Sequence, residues 1–426
     1  MIRFLLKGLI RDKSRSRLPV IVVAIGVMLS VFLHAYITGI MSDGVEQSAK
    51  FSGGHVKVMS KAYAENSSQL PNDLAIMDAG NMIGKLESVF PEMDWSPRIK
   101  FGGLIDVPGE DGETRSQGPA MGMGIDLLSA NTRDIERLNL RGSLARGRMP
   151  AEAGEALLSE NFSQKLGVNP GEEVTLIGST MNGGMAIYNF MVAGTVRFGS
   201  TGMDRGTLVA DITDVQLALD MEDAVGEILG FFPEGYYDDV LALPVTESFK
   251  LNFPDTGDEY TPVMHTLRDQ ESMSMYIDLS KSMGALVTVF FMIAMSLVLW
   301  NAGLLGGLRR YGEIGVRLAI GEEKGHVYKT LICESVMIGI AGTLVGTVVG
   351  LFFAWLMQEY GLDIGEFTKN ASASVMFPNV VHARITAADY YIGFIPGVIS
   401  TVVGTMLSGV GIYKRKTAQL FKELEA

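Results

Sequence analysis

Residues 18–41 read LPVIVVAIGVMLSVFLHAYITGIM and contain no aspartate, glutamate, lysine or arginine. An apolar helix of roughly 20 residues crosses the hydrocarbon core of a bilayer, which is about 30 Å thick. The run therefore predicts a membrane-spanning helix. A basic head before such a run is also typical of a signal peptide. We reject that interpretation, because the run is longer than a signal-peptide core and no small-x-small cleavage site precedes the polar turn at Ser42.

Three further apolar runs of spanning length follow, at residues 283–308, 330–357 and 388–413. The range 42–282 lies between the first two spans and is long enough to bury a core of its own. The one cysteine of the chain, Cys333, falls outside that range, so no disulfide stabilises it. The predicted fold class is an α-helical membrane protein with four transmembrane helices plus a large extracytoplasmic domain.

The positions of lysine and arginine predict the orientation, because basic residues near span ends are retained in the cytoplasm. The connector between spans three and four holds only Lys369 and Arg384. Basic residues instead cluster before span one, between spans two and three, and after span four, so both termini are predicted to be cytoplasmic. The clustered residues are Arg3, Lys7, Arg11, Lys13, Arg15 and Arg17, then Arg309, Arg310, Arg317, Lys324 and Lys329, then Lys414, Arg415, Lys416 and Lys422.

The predicted division of the chain follows from the spans and their orientation. It consists of a basic cytoplasmic N-terminus (1–17), span one (18–41), an extracytoplasmic α/β domain (42–282), span two (283–308), a cytoplasmic coupling helix (309–329), span three (330–357), an extracytoplasmic loop (358–387), span four (388–413) and a cytoplasmic tail (414–426).

The extracytoplasmic range carries both strand and helix patterns. Apolar residues alternate at 55–59 and recur in extended fashion at 96–107, which predicts strands. Helix-like spacing at 71–89 predicts a helix, and 264–279 is predicted to form a helix that leads into span two. Together they indicate a mixed α/β domain.

Several function classes are disfavoured by composition and motifs. The formal net charge is −13, and the acidic residues are concentrated in the extracytoplasmic range, which argues against nucleic-acid binding. The sequence contains no Gly-x4-Gly-Lys-Ser/Thr phosphate loop, no His-Glu-x2-His motif, no Gly-x-Ser-x-Gly elbow and no clustered cysteine or histidine ligands. We therefore predict no catalytic residues, no metal site and no cofactor bound by this chain.

The connector after span two is the most informative segment for function. Residues 308–324 read LRRYGEIGVRLAIGEEK, which predicts a short amphipathic helix from about Tyr311 to Ile320, stopped by Gly321. Ile314, Leu318 and Ile320 would form an apolar ridge that docks on a soluble partner. The alternative is an interfacial helix that only anchors span two, and the residues alone leave both open.

This connector resembles the cytoplasmic signature of FtsX/MacB-type permeases, in which an arginine, Glu-Ile-Gly and Arg-x-Ala-Ile-Gly precede the third span. The family usually continues with Ala-Ser, whereas this chain has Glu322-Glu323, a departure that bears on which partner surface is accepted. The resemblance implies a coupling helix that contacts an ATPase. The residues that take this role by position are Arg310, Glu313, Ile314, Gly315, Arg317, Leu318, Ala319, Ile320 and Gly321.

Within the family, the phrases at 54–58, 124–126 and 166–172 are most similar to the lipoprotein-releasing permeases. That resemblance implies an external domain with porter-like and small α/β parts, and a second permease protomer that is either a copy or a paralogue. It also implies a cytoplasmic ABC ATPase dimer that holds ATP and Mg²⁺. Hydrolysis would move the external domain, a scheme called mechanotransmission, to release a lipoprotein or another amphiphilic substrate from the bacterial inner membrane.

Three other readings of function stay open. One is MacB-like export of a peptide, antibiotic or toxin with periplasmic partners. Another is FtsX-like signalling to an envelope hydrolase without transport. The last is a sensor that uses no ATPase.

Two further sets of residues are candidates for packing or substrate contact. Gly342, Gly346 and Gly350 recur every four residues, which lets helices approach closely in lipid, and packing within one protomer is favoured over packing between protomers. His34 lies deep in span one, where it either lines a substrate cavity or is satisfied by neighbouring helices. Met181 and Met185 flank a glycine-rich turn and offer adaptable contacts to a lipidated substrate, although core filling is the commoner use of methionine.

Overall fold

The computed structural model describes residues 13–109, 111–199, 201–233, 235–270, 273–308, 311–363 and 380–414. The chain divides into two compact units. The membrane unit contains the described residues of 13–41, 279–363 and 380–414, and the α/β unit contains those of 42–278. Arg310, a predicted coupling residue, lies outside the described residues.

The helices are α1 (Lys13–Ser48), α2 (Lys61–Glu65), α3 (Ala79–Val89), α4 (Asp134–Arg137), α5 (Glu160–Leu166), α6 (Thr201–Asp204), α7 (Ile212–Ala218), α8 (Asp239–Asn252), α9 (Met273–Leu308), α10 (Tyr311–Ala319), α11 (Lys324–Tyr360) and α12 (Thr401–Lys414). The strands are β1 (Val56–Ser60), β2 (Ile76–Met77), β3 (Asp94–Pro108), β4 (Thr114–Ile125), β5 (Leu144–Gly147), β6 (Glu155–Ser159), β7 (Glu173–Ser179), β8 (Met185–Val196), β9 (Thr207–Asp211), β10 (Ala224–Val225), β11 (Glu227–Phe231), β12 (Pro262–Thr266), β13 (Leu362–Asp363) and β14 (Val380–Val381).

Four helical segments among the described residues are long and apolar enough to cross a membrane: Arg17–Gly53, Met273–Leu305, Lys324–Tyr360 and Ala387–Val410. The first ends in a π-helical turn, Ala49–Gly53. The fourth is irregular, because a 3-10 turn (Ala387–Tyr390) and a π-helix (Ile395–Ser400) precede α12. Pro396 lacks the backbone N–H that a regular helix needs at this point, which accounts for the irregular turn. The prediction of four transmembrane helices plus a mixed α/β domain is confirmed.

The α/β unit is built on a ten-stranded sheet with the order β12-β1-β11-β3-β4-β9-β6-β8-β5, in which β7 pairs with both β3 and β8. This double pairing closes a ring through β3, β7, β8, β6, β9 and β4. The β4–β9 and β6–β8 pairs are parallel, and the other pairs of the ring are antiparallel. Closure leaves fewer unpaired strand edges, which stabilises a domain that has no disulfide.

The core of the α/β unit forms two clusters, because successive strand residues point to opposite faces of the sheet. On β4, Ala120 belongs to one cluster, whereas Met123 and Ile125 belong to the other. The larger cluster also includes Leu86 of α3, Phe162 of α5 and Phe249 of α8.

The strands predicted at 55–59 and 96–107 are confirmed as β1 and β3. Two helix predictions need correction. Within 71–89 only α3 is an α-helix, because Asp78 adopts a left-handed φ of 55° and Ile76 pairs with Val225 in β2 and β10. The helix predicted at 264–279 is wrong in its first part, because residues up to Thr266 form β12 beside β1. Thr266 and Asp269 then form a capping box before α9 begins at Met273.

A buried ionic cluster joins the three adjacent strands β1, β11 and β3. Glu227 receives Lys57 Nζ on Oε1 and Lys100 Nζ on Oε2, each at 2.9 Å. Burial on its own would raise the pKa of Glu227. The charges and hydrogen bonds of Lys100 and Lys57 outweigh burial and lower that pKa to about 2. Glu227 therefore supplies the counter-charge for both lysines.

Glu227→Gln is expected to lower the free energy of unfolding of the α/β unit by about 3–5 kcal/mol, because it leaves buried lysine charges without a counter-charge. The measurement is hydrogen–deuterium exchange of the β1, β3 and β11 amides of the full chain in detergent, at increasing urea. Glu87→Gln, on the exposed side of α3, is the matched control. An equal decrease in the free energy of unfolding in both variants would contradict the stabilising role of the ionic cluster.

The same cluster predicts a pH dependence. The folded pKa of Glu227, about 2, lies below its unfolded value of about 4.3, so its stabilisation is present above about pH 4.5 and is lost as the pH falls towards 2. Glu227→Gln lacks this titration. Protection factors, which correct for the slower intrinsic amide exchange at low pH, are expected to fall more steeply in the wild type than in the variant as the pH is lowered from 5 to 3.

Candidate functional site

The connector between spans two and three folds as the short helix α10, Tyr311–Ala319. Gly321 ends it with a φ of 100°, a conformation that favours glycine, and its N–H donates to Leu318 O at 3.1 Å. The helix α11 then begins at Lys324. A helix–glycine–helix hairpin therefore precedes span three. The sequence pattern predicted its first part, the short helix that ends at Gly321.

The inner face of α10 packs against the first turns of α11. Ile314 is 3% exposed and forms a cluster with Val327 and Leu331, and Leu318 is partly buried against the same cluster. The predicted outward ridge of Ile314, Leu318 and Ile320 is therefore wrong as a single surface. The sequence periodicity predicted an apolar helix face. In the structure most of that face is buried against α11.

The outer face of α10 carries a different set of side chains. Ile320 is 82% exposed and Val316 is 43% exposed. Glu313 is also exposed. It lies three residues before Val316 and seven before Ile320, so it is on the same helix face. We call Glu313, Val316 and Ile320 the connector ridge. Of the other predicted coupling residues, Ala319 is exposed and Gly315 is buried.

Arg317 and Glu322 form an ion pair across the end of α10. Arg317 Nε lies 2.6 Å from Glu322 Oε2, and Arg317 Nη2 lies 2.5 Å from Glu322 Oε1. Hydrogen bonding from Arg317 lowers the pKa of Glu322. His326 Nε2 is 3.8 Å from the same carboxylate. Sequence reasoning noted Glu322 as a departure from the family but missed this pairing, since the five-residue separation is bridged only when Gly321 turns the chain.

The glycine row of α11 lies against α1. A Cβ added at Gly346 would lie 2.5 Å from Ala24 O and 2.8 Å from Val27 Cβ. The same substitution at Gly342 would meet Val23 Cβ at 2.6 Å, and at Gly350 it would meet Val31 Cβ at 3.0 Å. The structure thus places these glycines at a contact between two helices of the same protomer.

Gly346→Leu is expected to lower the thermal unfolding temperature of the chain in detergent, because the side chain collides with the backbone of α1. Overpacking of this kind costs about 1–3 kcal/mol. Size-exclusion chromatography after graded heating measures the loss of folded protein. Val345→Leu, on the outward side of α11 and half exposed, adds bulk without a collision and is expected to behave as wild type.

His34 has a specific partner in the membrane unit. Its Nδ1 lies 2.7 Å from Oδ1 of Asp389, a fully buried carboxylate at the start of the fourth segment. Asp389 Oδ2 also accepts from Thr386 N at 2.7 Å and Thr386 Oγ1 at 2.9 Å. Of the two readings of His34, the structure supports the one in which a neighbouring helix satisfies it. Asp389 was missed, although Thr386-x-x-Asp389 is a capping-box pattern visible in the sequence.

Asp389→Ala is expected to destabilise the membrane unit more than His34→Ala, because it removes the acceptor for both His34 and Thr386. Loss of one partner of a buried pair costs about 3–5 kcal/mol. The same heating assay measures both variants and the double variant. In a double-mutant cycle the two substitutions are expected to be strongly non-additive. Simple additivity would contradict a direct interaction between His34 and Asp389.

The two candidate methionines of the α/β unit differ in their surroundings. Met185 is 74% exposed at the start of β8, with Ile187 also exposed two residues later on the same face of the strand. Met181 is partly buried against the larger core cluster, and its N–H donates to Leu219 O at 2.8 Å. The glycine-rich turn therefore projects one of the two methionines, since the other fills the core.

Within the residues that the structure describes, no group of three or more histidine, cysteine, aspartate or glutamate side chains is arranged to hold a metal ion.

The four candidate spans among the described residues indicate a membrane protein. Residues 285–417 match the family model of the FtsX-like permease C-terminal domain. The match runs from span two through the connector to span four, so the resemblance to FtsX-type permeases is confirmed for that part of the chain. Permeases of that family are non-enzymatic transmembrane subunits of ABC transporters, and residues 285–417 of this chain are similar to them.

One solved structure similar to part of the chain is the periplasmic region of MacB from Actinobacillus actinomycetemcomitans. It is 17% identical, and the alignment covers 53% of this chain and 94% of that chain with a TM-score of 0.35. A superposition this loose carries no conclusion about fold or function. No curated protein matches the chain.

Proposed function

We propose that this permease couples ATP hydrolysis by a separate cytoplasmic ABC ATPase to movement of its α/β unit, and that this movement releases lipoproteins from the bacterial inner membrane. The observation that carries the proposal is the connector ridge. Val316 and Ile320 are large apolar side chains exposed on a short helix that joins two spans. Exposed apolar residues flanked by charge are typical of a docking surface.

The orientation supports a cytoplasmic partner for this ridge. Basic residues flank α10 in the sequence and are abundant near both termini, and such residues are retained in the cytoplasm. The ATPase would bind from that side, and the α/β unit would then face the periplasm. In this arrangement both chain termini are cytoplasmic.

Force from the ATPase would reach the membrane helices through the hairpin of α10 and α11. Ile314 packs on Val327 and Leu331, so a push on the ridge is transmitted into α11 through a buried contact. The glycine row joins α11 closely to α1. The bounds of α1 (Lys13–Ser48) and α9 (Met273–Leu308) extend past the predicted ends of spans one and two, which gives the motion a path beyond the lipid.

A second permease protomer, identical or paralogous, completes the proposed transporter. The helix α9 supports this, because it has the least buried apolar window of the four membrane segments. Its exposed side chains include Leu286, Phe290, Ile293 and Leu297, which recur at helical spacing and would face lipid or a partner helix. The substrate assignment rests on the resemblance of residues 54–58, 124–126 and 166–172 to lipoprotein-releasing permeases.

The first test is to purify the tagged full chain from its native membranes in mild detergent and to identify co-purifying proteins by mass spectrometry. An ABC ATPase is the expected partner. A lipoprotein found with it favours release, whereas a periplasmic adaptor favours export and an envelope hydrolase favours signalling. Absence of any ATPase, under conditions that keep other membrane complexes intact, would contradict the proposal.

Glu313→Lys combined with Ile320→Asp is expected to reduce ATPase co-purification at least tenfold, because it removes the most exposed apolar side chain and reverses a charge on the ridge. Loss of one interface hot spot costs about 2 kcal/mol or more. The matched control is Glu247→Lys with Leu251→Asp on α8, where both residues are also exposed. If the ridge variant retains the ATPase as the control does, α10 is an interfacial anchor and the coupling role is wrong.

A further inference from the structure

The turn between β12 and α9 carries an arginine that bridges two helices. Arg268 Nε donates to Asp239 Oδ1 at 3.0 Å, and its Nη2 donates to Asp239 Oδ2 at 2.9 Å. The same Nη2 also donates to Asp278 Oδ1 at 2.9 Å. Asp239 lies in the first turn of α8, and Asp278 lies in the second turn of α9. We call Asp239, Arg268 and Asp278 the α8–α9 bridge.

The two ion pairs of the bridge differ in strength. Asp239 binds two nitrogen atoms of the guanidinium, and bidentate pairs of this geometry are among the stronger hydrogen-bonded ion pairs. Its side chain is 20% exposed, whereas that of Asp278 is 61% exposed and accepts from one nitrogen atom. Exposed ion pairs contribute little to stability, because water solvates both charges when they separate. Arg268 is therefore held firmly on α8 and is separated easily from α9.

Further contacts fix the α8 side of the bridge within the α/β unit. Tyr237 Oη donates to Asp239 Oδ1 at 2.7 Å and accepts from the backbone nitrogen of Arg268 at 3.4 Å. Burial and the hydrogen bond to Asp239 raise the pKa of Tyr237, so its hydroxyl remains a donor. Ala242 and Phe249 of α8 belong to the larger core cluster. The helix α8 therefore gives Arg268 a fixed support.

The helix α1 is attached to the same region through buried groups. His55 Nδ1 accepts from Phe232 N at 2.9 Å, so the ring proton lies on Nε2, which donates to Glu46 Oε2 at 3.0 Å. The same oxygen of Glu46 accepts from Tyr237 N at 3.3 Å. The side chains of His55 and Glu46 are 0% and 6% exposed. Breaking this contact leaves a buried carboxylate without its donors, which costs far more than separating an exposed ion pair.

We propose that Arg268 is a positioning residue that holds the first turns of α9 against α8 in the nucleotide-free permease, and that its contact with Asp278 opens when ATP drives the α/β unit to move. The helix α1 stays attached through Glu46. The proposal rests on the proposed function, since the movement is the one that we assign to ATP hydrolysis. It adds which of the two helices detaches and which residue controls the detachment.

The test measures the distance between α8 and α9 in the full chain, in lipid nanodiscs and with the ABC ATPase that co-purifies with it. Exposed Lys250 of α8 and exposed Ser274 of α9 are replaced by cysteine and spin-labelled, in a background in which Cys333 is replaced by serine. Double electron–electron resonance gives the distance distribution without nucleotide and after trapping with ATP, Mg²⁺ and orthovanadate. The thermal unfolding temperature of each variant is measured in parallel.

The labelled wild type is expected to show mainly one distance without nucleotide and a second distance after trapping. Asp278→Asn is expected to raise the ratio of the second distance to the first about two- to fivefold without nucleotide, which is the range for loss of an exposed ion pair. Asp278→Glu keeps the carboxylate and is expected to return the ratio towards the wild-type value. The matched control Glu222→Gln removes an exposed charge elsewhere in the α/β unit and is expected to leave the ratio unchanged.

Three results would overturn the proposal. A single distance in every nucleotide state of a wild-type complex that hydrolyses ATP means that α9 does not leave α8, although the proposed function stands. An unchanged ratio in Asp278→Asn means that Arg268 does not hold α9 through this residue. A lower unfolding temperature of Asp278→Asn with an unchanged ratio shows a structural role only.

A different result would contradict the proposed function itself. If no ATPase co-purifies with the wild type, the coupling to ATP hydrolysis is wrong. The comparison of Asp278→Asn with the wild type without nucleotide then still decides whether Arg268 holds α9 against α8.

Discussion

The membrane unit depends on the close contact around Val27 of α1. This fully buried side chain meets Gly346 of α11 on one side, and it lies 2.5 Å from where a Cβ on Gly393 of the fourth segment would be. In lipid, helices are not driven together by the hydrophobic effect, so their association relies on such contacts between small residues and on interhelical hydrogen bonds. The His34–Asp389 hydrogen bond joins α1 to the fourth segment as well.

The two faces of the connector helix α10 differ in their exposure to solvent. Its inner face must hold α10 to α11, which takes Ile314 and Leu318 out of solvent. Its outer face keeps Val316 and Ile320 exposed, which costs free energy in water and is retained in surfaces that bind a partner. Attachment on one face and an exposed apolar surface on the other fit the coupling role that we propose for this helix.

The α/β unit is a large domain that has no disulfide to stabilise it. Closure of the strand ring through β7 and the two core clusters supply buried apolar area. The Lys57–Glu227–Lys100 cluster joins three neighbouring strands, because each strand carries one of the three charges. The exposed Met185 and Ile187 lie outside these constraints and are available for contact with other molecules.

The sequence by itself determined the four spans, the mixed α/β class and the short helix that ends at Gly321, because hydropathy and glycine stops are local signals. Only the tertiary structure decided that Ile314 faces inward, that residues up to Thr266 form a strand, and that Arg317 pairs with Glu322. Each of these depends on a neighbour brought close by a turn or by strand pairing. Local periodicity identifies an apolar face, but packing against another element decides which part of that face is buried.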